Sequence, residues 1–348
     1  MITYSIVGKS TRAVQSEREP SDNSTVDAEE DGDDAGVAES ADVELSSKET
    51  QTDHADFLQV HDVYSNYNAE TPSASEPELG RIVDHLVGIY ETLMNLSDNN
   101  SGFSPAESRV EFANAFKDPL IICNRTKVIP TGERIATLAD SLFDWRRCFL
   151  FYIDFLKRFS DFLAMGYQDQ IKLAKRRFSS FHWWLVSNWS AQCNCLGVCY
   201  SNGTFFPLDA SQQFFPDLRG TAEAMYTTLL RPLQELRLDI GEQCIVFAIL
   251  IFADDFKDMS PATQMHAKQM RDKYIRALYH HVRQKDPGKT NADIAYRISR
   301  ILLLISAITN LTFLTNDNFQ LNDVLHIVDF GKWSEDIRDG YNQFCRKC

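Results

Sequence analysis

The chain has 348 residues, of which 44% are hydrophobic and 11% aromatic, so it is long enough to bury a substantial core. Its net charge of −14 belongs to one end, because residues 1–80 hold 19 Asp and Glu against 4 Lys and Arg, and the remainder is nearly balanced. Neither a basic stretch that would bind nucleic-acid backbone nor the apolar core of a secretion signal is present, and no apolar run is long enough to span a membrane.

The acidic end and the rest of the chain differ in composition. Residues 1–76 are rich in Ser, Asp, Glu, Ala and Thr, which bury too little surface to fold, so we predict a disordered acidic arm. Residues 77–348 form the predicted folded domain. Apolar residues recur at helical spacing from Leu79 to Leu93, and longer helices are predicted over about 131–163 and 167–190.

The second half of the domain begins with the strongest turn signal in the chain. Asn202-Gly203 lies between two short runs rich in β-branched and aromatic residues, which predicts one β-hairpin over 196–207. The remaining helices are predicted over about 219–237, 240–254, 260–284, 290–315 and 321–342. This order of elements predicts an all-α domain of roughly ten helices with one small hairpin.

Motifs for metal binding and catalysis give little. Two cysteine clusters, at 193–199 and 345–348, lack a second ligand pair at zinc-finger spacing, so we interpret them as ordinary thiols and expect no metal and no cofactor. The chain has no GxSxG, no HExxH and no glycine-rich phosphate loop, and the adjacent His280 and His281 point to different helix faces. The sequence therefore predicts a protein that is not an enzyme.

Residues 155–175, FLKRFSDFLAMGYQDQIKLAK, resemble the signature of the nuclear hormone receptor ligand-binding domain. The positions that match in type and spacing are Phe155, Lys157, Phe162, Asp169, Gln170 and Leu173, and apolar replacements stand at Leu156, Met165 and Ala174. The hairpin and the aliphatic run after Arg297 agree with the family pattern. The resemblance covers about residues 77–340 and is closest to the divergent nematode receptors.

This resemblance implies a three-layer helical sandwich with one small β-hairpin, and a groove for the short LxxLL helices of coregulators. Lys157, supported by Lys175, would bind the carbonyl groups at the carboxyl end of such a helix. Asp336 of the last helix, with Glu335 as the alternative, would bind the amide groups at its other end.

Two further pairs have a structural interpretation. Asp169 and Gln170 are expected to bond nearby backbone groups and to hold the fold rather than to carry chemistry. Glu242 is expected to form a buried ion pair with Arg297 or Arg300, between late helices of the domain.

The resemblance also implies an apolar pocket for a small lipophilic ligand. Helical spacing selects two sets of candidate lining residues, which are Leu142, Trp145, Phe149 and Tyr152 on one helix and His182, Val186 and Trp189 on the next. The alternative is that these bulky side chains fill the core at native packing density and leave no cavity.

We therefore predict a ligand-regulated receptor domain of the transcription-factor type, located in the nucleus, with the cytoplasm as an alternative location. The alternative is a constitutive interaction or dimerisation scaffold with a filled pocket that sequesters receptor partners. Expected partners are a small ligand, coregulator helices and a second receptor in a homo- or heterodimer. The cysteine-rich zinc modules of the family are not found in this sequence, so no direct DNA binding is expected. No membrane contact is expected either, because no apolar run is long enough to span a membrane.

Overall fold

Helices make up most of the chain that the computed structural model describes, which is residues 76–98, 109–253, 257–324 and 329–345, all within one unit, Asn68–Cys348. The predicted disordered arm lies outside the described residues, apart from Glu76. The α-helices in these ranges are α1 (Glu76–Asn95), α2 (Phe112–Lys117), α3 (Leu138–Leu156), α4 (Ser160–Leu163), α5 (Tyr167–Cys193), α6 (Thr221–Met225), α7 (Arg231–Leu236), α8 (Ile240–Ile251), α9 (Pro261–Lys285), α10 (Asn291–Val324) and α11 (Lys332–Cys345).

The described residues contain one small sheet, of strands β1 (Arg134–Ile135), β2 (Gly197–Cys199) and β3 (Thr204–Pro207). β2 and β3 form the predicted antiparallel hairpin, and Gly203 turns the chain between them with a positive φ of 84°. β1 pairs in parallel with the other edge of β3 and was not predicted from the sequence. The sheet therefore has the order β1-β3-β2.

Several helix boundaries differ from the prediction. α3 begins at Leu138 rather than near residue 131, because Thr137 and Asp140 form a reciprocal capping box. The residues before that box are drawn into β1. α10 runs on to Val324, and the last helix begins only at Lys332, after Gly331 at φ 84°.

The layers are set by how much of each helix is apolar. Every residue of α8 from Gly241 to Ile251 is buried, which places this helix in the middle of the domain beside α5. α1 and α3 pack on one side of this pair, and α9 and α10 pack against the remaining faces. The arrangement is the predicted all-α helical sandwich.

One helical stretch among the described residues, Asn291–Leu321 in α10, is on average long and apolar enough to cross a membrane, although polar residues interrupt it and it contains no uninterrupted apolar run of that length. Length and composition alone are weak evidence, because core helices of globular domains share them. Ile301, Ile308 and Leu311 of this stretch are buried at 0–1% exposure in the helical core.

Candidate functional site

The residues of the signature stretch hold the turn between α4 and α5. Gln170 donates from its side-chain amide to the carbonyls of Leu163 and Met165, at 3.1 and 2.8 Å. Asp169 accepts hydrogen bonds from the Ser260 backbone and hydroxyl and from the Thr263 hydroxyl, at 2.7–3.2 Å. The pair thereby fixes the start of α5 to the start of α9.

The electrostatics of Asp169 agree with this structural position. Burial raises the pKa of its carboxyl group, but the hydrogen bonds from Ser260 and Thr263 outweigh burial, so the net pKa lies below the ordinary value. The carboxylate form is therefore the one that the fold stabilises.

A groove opens where the end of α3, α4, the start of α5 and α11 meet, and the short helix α2 lies in it. The groove is lined by Phe149, Phe162, Tyr167 and Lys175 and has Lys157 and Asp336 at its ends, and we call it the clamp groove. The buried side chains of α2 are Phe112, Ala115 and Phe116, at 0–4% exposure. The ring of Phe112 lies 5.9 Å from that of Phe149, and the ring of Phe116 lies 6.3 Å from that of Phe162.

Both ends of α2 meet the residues that the sequence analysis selected for a partner helix. Lys157 donates from Nζ to the carbonyl oxygen of Lys117, the last residue of α2, at 2.9 Å. The backbone amide of Phe112, the first residue of α2, donates to Oδ2 of Asp336 at 2.9 Å. A lysine at the carboxyl end and a carboxylate at the amino end satisfy the backbone groups that a helix leaves unpaired.

The other two predicted groove residues, Lys175 and Glu335, do not contact the ends of α2 in the expected way. Lys175 does not support Lys157, because its Nζ lies 5.7 Å over the ring of Phe112, at the opposite end of α2. Glu335 lies 3.4 Å from the ammonium of Lys332 on its own helix. Partial burial lowers the pKa of Lys157, and the charges of Asp154 and Asp118 oppose that change.

α11 is held down by two apolar residues and by one polar contact. Trp333 is 1% exposed and Ile337 is 3% exposed. Ser334 stands where the family pattern has an apolar residue, and its hydroxyl accepts a 3.0 Å hydrogen bond from the indole N–H of Trp145. The polar replacement therefore has a buried partner.

Trp145 also lines a cavity of about 100 Å³ between α3, α5, the hairpin and α10. Ligand pockets for drug-sized molecules span about 300–1,000 Å³, so this space suits only a small ligand. Aromatic rings fill the region around it, since the ring of Phe319 lies 5.1 Å from that of Trp145 and 4.6 Å from that of Phe330.

Two of the seven predicted pocket residues, Trp145 and His182, line this cavity, and the structure places the other five elsewhere. Phe149 packs on Trp333, Tyr152 donates to the carbonyl of Ala174, and Trp189 donates to the hydroxyl of Tyr90. Val186 is fully buried in the core, and Leu142 packs at its edge. Helical spacing selected the faces correctly but not which residues border empty space.

The polar side of the cavity is formed by His182 and Asp144, both buried. Among the described residues neither ring nitrogen of His182 has a hydrogen-bond partner, and its Nε2 lies 3.6 Å from Oδ2 of Asp144. The other carboxylate oxygen of Asp144 accepts from the backbone amide of Ser201 at 2.6 Å. A buried imidazole without a partner suits a small molecule or water with a hydrogen-bonding group.

The late helices carry the ion pair that holds the scaffold. Arg297 of α10 binds Glu242 of α8 through two hydrogen bonds of 2.6 and 2.8 Å, and Glu242 is 0% exposed. Arg300 pairs instead with Glu235, near the surface. Of the two arginines that the sequence analysis considered, Arg297 is the partner in the core.

The sequence analysis did not identify the residues of α2. Phe112, Ala115 and Phe116 stand at i, i+3 and i+4, the spacing of the three leucines in an LxxLL helix. That spacing was the one available signal, and it was hidden in a stretch that reads as a loop. α2 thus lies against two of the residues that the resemblance assigned to a coregulator helix, Lys157 and Asp336.

Comparisons with known proteins agree with this architecture. The family profile described as the ligand-binding domain of nuclear hormone receptor matches residues 131–324. Nuclear hormone receptor family member nhr-61 of Caenorhabditis elegans is 35% identical over 237 residues, which are 66% of this chain and 56% of that protein. Family member nhr-4 of the same organism is 26% identical over 234 residues, 67% of this chain and 47% of that protein. The chain therefore spans about half the length of these relatives.

Proposed function

We propose that this chain, which belongs to the nuclear hormone receptor family, regulates transcription as a receptor domain that recruits coregulator helices through the clamp groove. Residues 77–348 would form that domain. The observation that carries the proposal is the pair of contacts from Lys157 and Asp336 to the two ends of a helix seated in the groove. A nuclear location and a role without enzymatic chemistry follow from the same family membership.

The groove has the chemistry that an amphipathic helix needs. Its floor is aromatic, so leucine side chains of a partner would leave water for an apolar surface. Its two ends carry opposite charges, so a partner helix can dock in one direction only. Affinity would then come from the apolar side chains, and orientation would come from Lys157 and Asp336.

Peptide binding tests this proposal directly. A labelled LxxLL peptide is expected to bind the full chain, and the same peptide with alanine at its three leucines is expected to bind about 100-fold more weakly or worse, because a buried leucine contributes about 1.5–3 kcal/mol. Fluorescence anisotropy at fixed ionic strength measures both. Equal affinity for the two peptides would show that the groove does not recruit such helices.

For the cavity we propose a small apolar ligand with one hydrogen-bonding group that reaches His182. Support comes from the unpartnered ring nitrogens of His182 within the described residues and from the volume of about 100 Å³. The second candidate is a domain without ligand, which the small volume and the surrounding Phe319 and Phe330 rings favour. Both candidates use the clamp groove. In the first a ligand in the cavity would regulate the groove, and in the second no ligand would do so.

Native mass spectrometry separates them. We expect no steroid-sized adduct on the purified chain, because the cavity of about 100 Å³ lies below the range of such pockets. A small retained adduct that is absent from His182→Leu would favour the ligand, and an unliganded mass would favour the constitutive domain. A retained steroid or phospholipid would contradict the cavity volume.

For the receptor partner we propose the outward face of α10. Tyr296, Leu303 and Phe313 are 67%, 68% and 45% exposed and lie on one side of this helix. Apolar side chains exposed along one helix face are typical of a surface that another chain covers.

A charge on this face tests the dimer. Leu303→Glu is expected to weaken self-association or pairing with a second receptor domain at least tenfold, because a carboxylate would have to leave water at the interface. Light scattering coupled to size exclusion measures it over a concentration series. Met265→Glu, at a 63% exposed residue of α9, is the matched control and should change nothing. An unchanged mass in Leu303→Glu would exclude this face.

A further inference from the structure

Resting on the coregulator groove proposed above, we propose that α2 is a built-in competitor: residues 112–117 occupy the clamp groove in cis and exclude a partner helix until they are displaced. Nothing in the family match covers this segment, since the matched profile begins at residue 131. The apolar side chains of α2 and the two ends of the helix carry the proposal.

The apolar contacts reproduce those of an LxxLL helix. Phe112, Ala115 and Phe116 face inward at i, i+3 and i+4, whereas Ala113 and Asn114 are exposed. A partner helix would need the same floor, which the two phenylalanine rings already cover. The groove cannot hold α2 and a second helix together.

The polar contacts are equally exclusive. The Lys157 ammonium and the Asp336 carboxylate are the groups that a partner helix would use, and both are bonded to backbone atoms of α2. Lys332 lies 3.3 Å from the second carboxylate oxygen of Asp336, which leaves that oxygen engaged as well. A partner would have to replace each of these bonds.

α2 is nevertheless built to be displaced. It has six residues, and helices of fewer than about 12 residues are not stable alone in water, so α2 stays helical only while docked. At the central position it offers the methyl group of Ala115, where an LxxLL partner offers a leucine. A partner can therefore bury more apolar surface at that position than α2 does.

The strength of the competition follows from the covalent attachment of α2 to the domain that holds the groove. A tethered segment acts at an effective concentration of about 1 mM, so even a segment of modest affinity keeps the groove mostly closed. The apparent affinity of a partner is reduced by the fraction of chains whose groove is open. We expect a reduction of about 10–100-fold relative to an open groove.

The test opens the groove by substitution. Phe116→Asp places a charge against the aromatic floor and is expected to tighten the binding of an LxxLL peptide by about 10–100-fold. Asn114→Asp adds the same charge on the outer face of α2 and is the matched control, with no change expected. Circular dichroism confirms that both variants remain folded, and Phe116→Ala replaces Phe116→Asp if the latter does not fold.

A second measurement tests the α2 segment as a separate peptide. A synthetic peptide of residues 109–121 should compete with the labelled LxxLL peptide for the opened chain. In that chain Lys157→Ala should weaken both peptides, whereas in the wild-type chain its effect on the LxxLL peptide is partly cancelled because Lys157 also holds α2. Failure of the 109–121 peptide to compete would overturn the proposal.

The outcomes separate the two proposals. If the LxxLL peptide binds wild type and Phe116→Asp equally well, α2 is no competitor and the groove function stands. If the peptide binds neither chain, the coregulator groove itself is wrong, and this inference fails with it. Tighter binding to Phe116→Asp alone, with Asn114→Asp unchanged, supports both.

Three thiols outside this site carry a second, independent inference. The Sγ atoms of Cys193, Cys195 and Cys199 all lie within 4.8 Å of one another, where α5 turns into β2. Asn194 makes that turn in the left-handed conformation, at φ 55°. Gly132 closes over the cluster, since a Cβ there would lie 2.8 Å from Cβ of Cys195 and 3.2 Å from Sγ of Cys193.

We infer that this thiol cluster binds a thiophilic divalent cation such as zinc. Zinc–sulfur bonds of about 2.3 Å place three sulfur atoms within about 4 Å of one another, close to the spacing found here. Cys193 is partly exposed, so water can supply a fourth ligand there.

Cadmium titration tests the site in the full chain under reducing conditions. We expect one equivalent of cadmium to produce a thiolate-to-metal charge-transfer absorption, and zinc to remove it by competition. Each of Cys193→Ser, Cys195→Ser and Cys199→Ser should weaken binding at least tenfold, and Cys123→Ser, a buried thiol elsewhere, is the control. An absorption that persists in the triple serine variant, or none in wild type, would overturn the site.

Discussion

Replacing Arg297 with methionine is expected to lower the free energy of unfolding by about 3–5 kcal/mol, because it leaves a buried charge without its partner. Glu242 is 0% exposed, and Arg297 supplies two hydrogen bonds to its carboxylate and a third to the carbonyl of Leu236. The hydrogen bonds to Glu242 raise the pKa of Arg297, so the guanidinium charge persists at neutral pH. Urea denaturation followed by tryptophan fluorescence measures the change.

Arg300 provides a matched control on the same helix. Its ion pair with Glu235 is also 2.8 Å long, but the two side chains are 36% and 67% exposed, so Arg300→Met should cost less than about 1 kcal/mol. The backbone amide of Asp239, at the start of α8, donates to Oε2 of Glu242 at 2.9 Å. The double variant Glu242→Gln/Arg297→Met should recover part of the stability, because the buried carboxylate is gone and an amide oxygen can still accept that hydrogen bond. Equal destabilisation by Arg297→Met and Arg300→Met would contradict the buried pair.

Replacing Trp333 with alanine is expected to remove about 3–5 kcal/mol from the docking of α11, the usual cost of truncating a buried large aromatic side chain. Trp333 is 1% exposed, and its ring lies 4.4 Å from that of Phe149 and 6.4 Å from that of Trp145. Without this indole, α11 should detach locally and carry Asp336 away from the groove. Hydrogen exchange over residues 332–339 measures this opening.

A conservative variant tests whether the buried ring at position 333 holds α11 in place. Trp333→Phe keeps most of the buried ring and should leave the exchange of α11 within a factor of about 10 of wild type, because ring-for-ring changes usually cost less than about 1.5 kcal/mol. Glu335→Ala, whose side chain is 44% exposed, should have little effect. If Trp333→Ala leaves hydrogen exchange unchanged, α11 is not held by this ring.

The sequence was most informative about long apolar elements, about the hairpin turn and about the charged residues that bind helix ends. The apolar run of residues 244–253 predicted the buried helix α8, and Asn202-Gly203 predicted the hairpin. The family resemblance selected Lys157 in residues 155–175 and Asp336 in the last helix, and the two contact opposite ends of one helix although they are 179 positions apart in the sequence. Such charged residues can be predicted because every helix leaves backbone amides unpaired at its amino end and carbonyls unpaired at its carboxyl end.

The occupant of the groove could not be predicted, because α2 is shorter than the window over which helical periodicity is measured. Its six residues become helical through contacts with Phe149, Phe162 and Asp336, all distant in the sequence. A local pattern cannot report on such contacts. The same holds for β1, which exists only because β3 lies beside it.

The cavity shows a different limit. Spacing along α3 and α5 placed Trp145 and His182 on inward faces, which is where they lie. Whether an inward face meets space or another side chain depends on Phe319 and Phe330, which come from the far end of the domain. Residue spacing therefore predicted which side chains face the interior, but not which of them border a cavity.

The indole of Trp145 has a consequence beyond packing. One edge of this ring borders the cavity, and its N–H donates to Ser334 of α11, two residues before the carboxylate of Asp336. A ligand that shifted the ring would strain or release that bond and so change the docking of α11, and a partner that stabilised docked α11 would in turn change the affinity of that ligand. Thermodynamic linkage makes the two effects equal in free energy. The side chain of Trp145 thus connects the interior of the domain with the helix at its surface.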